Sequence, residues 1–294
     1  MTYIHAVGIH NTIPAGELPD LKAELKALSG KVYRRIDHFI QLAIIGAHKG
    51  LHGHKLSPDT AIYMTSGQGN IAVFDRVRDQ RYIHKLLPKP VDFINLLSNS
   101  AGFYVATHLG LEGKNLFLAH QSFPVQMTML VAQNDLKLGK QKCVLVGGVD
   151  EWVVKQELSK KLLGVEDTMV LGEGSNWLLI DTNAEGALGS FDMEPKALDK
   201  QQLQQFLSSA EVGTKLAFSR RICDDEADGI MDMNRSCQRF DYETSSGYYE
   251  TLPLYALNSF LAGKEKGRLI HIDVYKGRYM VMSVENFGVS PSKA

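Results

Sequence analysis

Apolar positions recur at two different periods along this chain, and the periods themselves take turns. The stretch "YIHAVGIHN" (3–11) alternates with period two and predicts a strand, while "LPDLKAELKAL" (18–28) and "RRIDHFIQLAIIGAHKG" (34–50) repeat at helical spacing, the second through Ile36, Phe39, Ile40, Ala43 and Ile44. "TAIYMTSG" (60–67) predicts a second strand running into the glycine turn "SGQGN". Pro88, Pro90 and Asp92 then mark a loop, Ser98 to Leu109 a helix, and "LEGKN" (111–115) a turn into another strand. That strand opens "NLFLAHQSFPVQMTMLVAQNDLKLG" (115–139), which passes through a polar elbow at His120, Gln121 and Ser122 into a buried helix. "KQKCVLVGGVDEW" (140–152) reads as a short strand broken at Gly147 and Gly148, and "GEGSNWLLID" (172–181) as a strand entered through a glycine turn.

The character changes after residue 183. From Ala184 to Val212 the chain is polar and Gln-rich, with "LDKQQLQQFLSSAEVG" (198–213) as a surface amphipathic helix. Residues 220–246 are charged and without period, which predicts a long loop or a poorly packed connection. Order returns with a helix at 248–263 and two β-rich runs, 267–277 and 278–288, joined by a Lys276-Gly277 hairpin turn. Strands alternating with helices predict an α/β architecture, with residues 1–183 as one unit and 184–294 as a reduced second one.

Composition narrows the class without naming a chemistry. The 294 residues carry 32 basic and 33 acidic side chains, a net charge of -1, so a nucleic-acid partner is not expected. The start "MTYIHAVGIHNT" has no basic and apolar leader pattern and no run is long enough to span a membrane, so a cytoplasmic location is expected. Cys143, Cys223 and Cys237 are an odd number without CxxC spacing, which argues against a disulfide framework or a zinc site. The turn "LHGHKL" offers His52 and His54 but no third ligand, so a solvated loop is favoured over a metal, and no cofactor is expected.

A strand turning into a helix presents the turn side chain and the helix's free N–H groups at one point, where nucleophiles are often mounted. The ordered series around this elbow resembles the β-ketoacyl synthases, of the thiolase fold: Asn99, Ala101 and Gly102, then Gly113 with Asn115, the strand, the elbow, the buried helix, Gly147-Gly148, and Gly172-Glu173-Gly174. The resemblance covers residues 1–183 well and 240–290 loosely. It implies a layered αβαβα fold of two pseudo-repeated halves, the second truncated. Counted from Asn115 forward and from Gly147 back, the family's catalytic cysteine falls on Ser122, with Gln121 beside it. The family's two histidines follow the nucleophile, yet His271 is the one histidine after residue 120 and lacks their context; Tyr248 follows Gly247 where the second is expected. A tyrosine is no substitute for imidazole as a base at neutral pH.

The resemblance therefore implies an inactive homologue: a chain-length factor that pairs with an active β-ketoacyl synthase subunit, shapes its acyl tunnel and meets acyl carrier protein through the complex, most like the partner of aryl polyene ketosynthases. Tunnel-floor or interface candidates are Gln68, Phe93, Phe103, His120, Gln121 and Ser122. Each has a plainer reading as turn, core or helix-cap residue, and Phe103, Tyr104, Met127, Met129 and Leu130 suit core or dimer interface. The competing reading is a Ser122-dependent acyltransferase or thioesterase, although "AHQSF" is not a GxSxG elbow. A decarboxylase using glutamine at the elbow still needs the missing histidines.

Overall fold

The structure, a computed structural model, describes residues 1–14, 17–51, 53–244 and 246–288. Its first half runs β1 (Thr2–Thr12), α1 (Leu21–Ser29), α2 (His38–Leu51), β2 (Ala61–Thr65), α3 (Ile71–Tyr82), α4 (Pro90–Leu96), α5 (Asn99–Leu109), β3 (Asn115–Leu118), α6 (Pro124–Lys137), β4 (Cys143–Asp150), α7 (Gln156–Leu163) and β5 (Glu173–Asp181). The second runs β6 (Gly189–Met193), α8 (Lys200–Ser208), β7 (Lys215–Phe218), α9 (Asp224–Met231), β8 (Gln238–Arg239), α10 (Leu252–Ala262), β9 (Gly267–Tyr275) and β10 (Arg278–Asn286).

The strands hydrogen-bond in the order β3-β2-β4-β5-β1-β6-β10-β9-β7-β8. Read from either end the order is the same: in each half the last strand is antiparallel and sits between the first and the fourth, while the second pairs in parallel with the third and fourth. The halves join where Thr2 to Ile4 of β1 pair with Phe191 to Gly189 of β6. All five strands thus recur in the second half, and its smaller size shows in three helices against seven among the described residues.

Packing explains the layers. α1, α2 and α5 bury Leu21, Leu25, Phe39, Ile44 and Val105 against one face of the first strand set. α8 and α9 bury Leu203, Leu207, Ala227 and Ile230 against β7, β9 and β10. Between the two sets lie α6 and α10, which touch strands of both halves and share one core. The result is an αβαβα stack, in which α10 is apolar around most of its circumference because both faces are covered.

Four local expectations are corrected. Pro88–Asp92 is not all loop: Pro90 supplies the preset φ of a first helical turn, and α4 follows with Asp92 buried against Arg76 and Gln80. β4 is not broken at its glycines but runs straight through them. A Cβ on Gly147 would stand 2.3 Å from the Trp177 ring, so the glycine makes room for a cross-strand indole. The polar 184–212 stretch contains β6, a central strand that joins the halves. The charged 220–246 stretch contains α9 and β8 and buries Ala227, Ile230 and Cys237; its acids fall on α9's first turn, where they favour the helix. The Lys276-Gly277 hairpin turn forms as expected, both residues having positive φ.

Candidate functional site

The loops leading into the two central helices meet. β3 ends at Leu118, α6 begins at Pro124, and residues 119–123 form the elbow. His120 and Gln121 are exposed and Ser122 is half-buried. His120 Nδ1 accepts the backbone N–H groups of Ser122 (3.2 Å) and Phe123 (3.0 Å), so this imidazole fixes the elbow's own backbone just before α6. That lone pair is not available to draw a proton from the Ser122 hydroxyl, and among the described residues no other imidazole reaches it. Replacing His120 with alanine is expected to cost about 1 kcal/mol of stability in urea denaturation, the usual net value of a lost hydrogen bond.

Arg221, just beyond β7, crosses from the second half to the elbow. Its guanidinium donates to the Ser122 carbonyl oxygen and to Glu250, and lies 3.7 Å from the Asp273 carboxylate on β9. Gln126 on the first turn of α6 donates to the same Asp273 oxygen that faces the guanidinium, Nε2 to Oδ2 at 2.9 Å. Tyr248 meets the same guanidinium. Burial works against the Arg221 charge, but Asp273 and Glu250 outweigh it and hold the group above its ordinary value. Burial also raises Asp273, and it lifts Glu250 to about 7 although Arg221 pulls the other way. One guanidinium thus serves a buried acid, Asp273, and a half-buried one, Glu250.

Behind this cluster Asp150, at the end of β4, is buried without a cation. Its Oδ1 accepts from the Ser66 hydroxyl (2.7 Å) and the Gly67 N–H (2.8 Å), its Oδ2 from the Thr251 N–H (2.7 Å), and burial still raises its pKa. Glu250 packs on the same turn, its Cβ lying where a side chain on Gly67 would start, 2.2 Å from that point. The cavity that Asp150 and Glu250 line together with Gln68 and Trp152 is about 20 Å³, room for water and not for an acyl chain.

The cluster therefore holds a cation, three carboxyls and a phenol whose pKa burial raises, but neither thiol nor imidazole. His271 is buried on β9, 3.2 Å from the Tyr242 hydroxyl, and burial lowers it to about 3, so it stays neutral within the core. Cys143 begins β4 with its thiol pushed up to about 11 by burial. Among the described residues no group of metal-binding side chains forms; His54 is exposed, and His52 lies outside the described residues.

Of the expected site residues, Ser122 and Tyr248 come together through Arg221. Gln68 turns inward: its Oε1 accepts from the Ser159 hydroxyl at 3.0 Å, and it lines the small cavity. Phe93 on α4 and Phe103 on α5 point outward, 61% and 62% exposed. Met129 is buried and Met127 and Leu130 pack on the central core, while Tyr104 packs edge-on against Tyr33. Arg221, Glu250, Gln126 and Asp150 escaped the sequence reading, as did Asp273. The available signals were single acids set in apolar runs, "LVGGVD" and "LIHIDV".

No protein-family model matches the sequence, and no curated protein does. Solved structures do. The ishigamide ketosynthase/chain length factor aligns with a TM-score of 0.74 at 11% identity, over 97% of this chain and 99% of that one. The PfaC keto synthase–chain length factor aligns at 0.69 and 8% identity, over all of this chain and 43% of the other. A type II polyketide-synthase acyl-carrier protein in complex with its ketosynthase bound to the hexaketide aligns at 0.61 and 14%, over 97% and 99%. The chain has the thiolase-type fold of ketosynthases and chain length factors. Among its described residues no helix is long and apolar enough to cross a membrane.

Proposed function

We propose that this chain is a non-catalytic chain-length factor: it pairs with an active β-ketoacyl synthase and shapes that partner's acyl tunnel, on substrates carried by acyl carrier protein. The observation that carries this reading is the Arg221–Glu250–Asp273 cluster at the meeting of the two central helices. Condensation needs a nucleophile, a base and room for a chain there, and this chain offers a guanidinium clamp and a cavity of about 10 Å³. The names of the aligned structures agree with the role, and five strands on either side of residue 183 support reading residues 1–183 and 184–294 as two halves.

A surface for the partner supports the same reading. α3, α4 and α5 pack together and leave Phe74, Leu87, Phe93, Ile94, Leu97 and Phe103 exposed, beside β3 at the open end of the sheet. Large apolar side chains gathered in one region mark interaction sites far better than scattered ones. We assign Phe93 and Phe103 to partner contact, with Gln121 and Ser122 of the elbow as the tunnel-closing residues. Working on carrier-protein substrates beside a synthase fits a cytoplasmic location, with the aryl polyene type of partner as the narrower assignment.

The test is reconstitution. Mixed with its active synthase, the purified chain is expected to form a heterodimer whose products are longer or more uniform than those of the synthase alone. By itself, incubated with acyl thioesters, it is expected to give no Ser122-linked adduct in intact-mass measurements. An adduct lost in Ser122→Ala would replace this reading with acyl transfer or thioester hydrolysis.

A further inference from the structure

We propose that the cavity lined by Gln68 of the 66–70 turn, the 150–153 segment and the 248–250 loop is a built site for an ordered water molecule that ties these three segments together. Its volume of about 20 Å³ exceeds the 10–15 Å³ or so that one water requires. Three of its lining residues bury a polar atom that no protein group meets: Gln68 Nε2, Glu151 Oε2 and Trp152 Nε1. Glu151 and Trp152 are 7% and 3% exposed, so bulk solvent does not serve them. Buried polar atoms without a protein partner are met by water, and three among the residues lining one cavity point to a shared one.

The remaining lining groups are already engaged. Gln68 Oε1 takes the Ser159 hydroxyl, both oxygens of Asp150 are hydrogen-bonded, and Glu250 is held by Arg221. What is left is two donors, the indole and amide N–H groups, and one carboxyl oxygen. Water satisfies all three, accepting twice and donating to Glu151. A cation would face two N–H groups, and an anion would face the carboxyls of Asp150, Glu151 and Glu250. Gln68 thereby meets the water from the 66–70 turn while its other amide atom takes the Ser159 hydroxyl.

The site is tested on the purified chain alone, so its outcome is separate from that of the proposed function. An atomic-resolution crystal structure is expected to show one peak within hydrogen-bond distance of Gln68 Nε2, Glu151 Oε2 and Trp152 Nε1. A cavity without density, or an anomalous peak there after a rubidium soak, overturns the proposal. In solution, Gln68→Met and Trp152→Phe are each expected to lower the folding equilibrium constant roughly tenfold, the range for an orphaned buried group. Together they are expected to cost less than the product of the two, because the water leaves with the first. Ser159→Ala, which removes only the direct bond to Gln68, is expected to combine independently with Trp152→Phe. Independent effects of Gln68→Met and Trp152→Phe would sink the shared water.

Discussion

Arg221→Met is expected to cost the folded chain about 3–5 kcal/mol, the range found when one member of a buried charge cluster is removed and its partners stay. The side chain is only 21% exposed, and it compensates Glu250 and Asp273 while fastening the elbow carbonyl of Ser122. Methionine keeps most of the apolar stem, so the loss reports the charge rather than a cavity. Glu250→Gln in the same background is expected to recover part of it by withdrawing one of the stranded acids. The loss also has a pH sign. Burial lifts Glu250 to about 7, from an ordinary value of 4.5, so the unpaired acid is protonated and tolerated at low pH and penalised as pH rises through that window. Urea denaturation at pH 5 and pH 8 measures both effects; a loss below about 1 kcal/mol, equal at the two pH values, would show that the cluster does not carry the elbow.

Glu151→Gln is expected to do the opposite and stabilise the chain at alkaline pH. Glu151 is buried at the end of β4, its Oε1 accepts the Ala72 N–H at 2.9 Å, and no cation pairs with it. Burial raises its pKa from 4.5 to about 7. An acid whose folded pKa is raised holds its proton more tightly in the native state, so the native chain binds more protons between pH 4.5 and 7. Stability therefore falls as pH rises across that interval, and the full penalty is present above it. A shift of this size corresponds to about 3 kcal/mol. The substitution is expected to change little at pH 5 and to recover most of that amount at pH 8, read as a shift in the denaturation midpoint at constant slope. A midpoint that moves equally at both pH values would mean that the carboxyl is ionised throughout.

Much of the architecture was legible because burial writes itself into period. β1 alternates strictly between buried and half-buried positions, and α2 is apolar wherever it faces the sheet and α5, so each announces its type locally. The expected helices at 18–28, 34–50, 98–109 and 198–213 and the terminal hairpin all appear. β6 and α9 did not announce themselves. β6 is five residues long and reads "GSFDM", too short for a pattern, and is a strand because β1 and β10 flank it. α9 hides its apolar stripe among acids that serve its N-terminus. α4 was masked by prolines that start a helix as readily as they punctuate a loop.

The site divided along the same line. The absence of a thiol at the elbow, the lack of a histidine after residue 120 other than His271, and the tyrosine at 248 are matters of residue identity and local order, and the chain alone determined them. What stands in their place was decided by tertiary structure. Ser122, Arg221, Glu250 and Asp273 lie far apart along the chain and meet only because two halves of like topology bring the starts of α6 and α10 together. A period is a property of neighbours along the backbone, whereas a charge clamp depends on which distant groups share one dry space, and that is set by how the layers close.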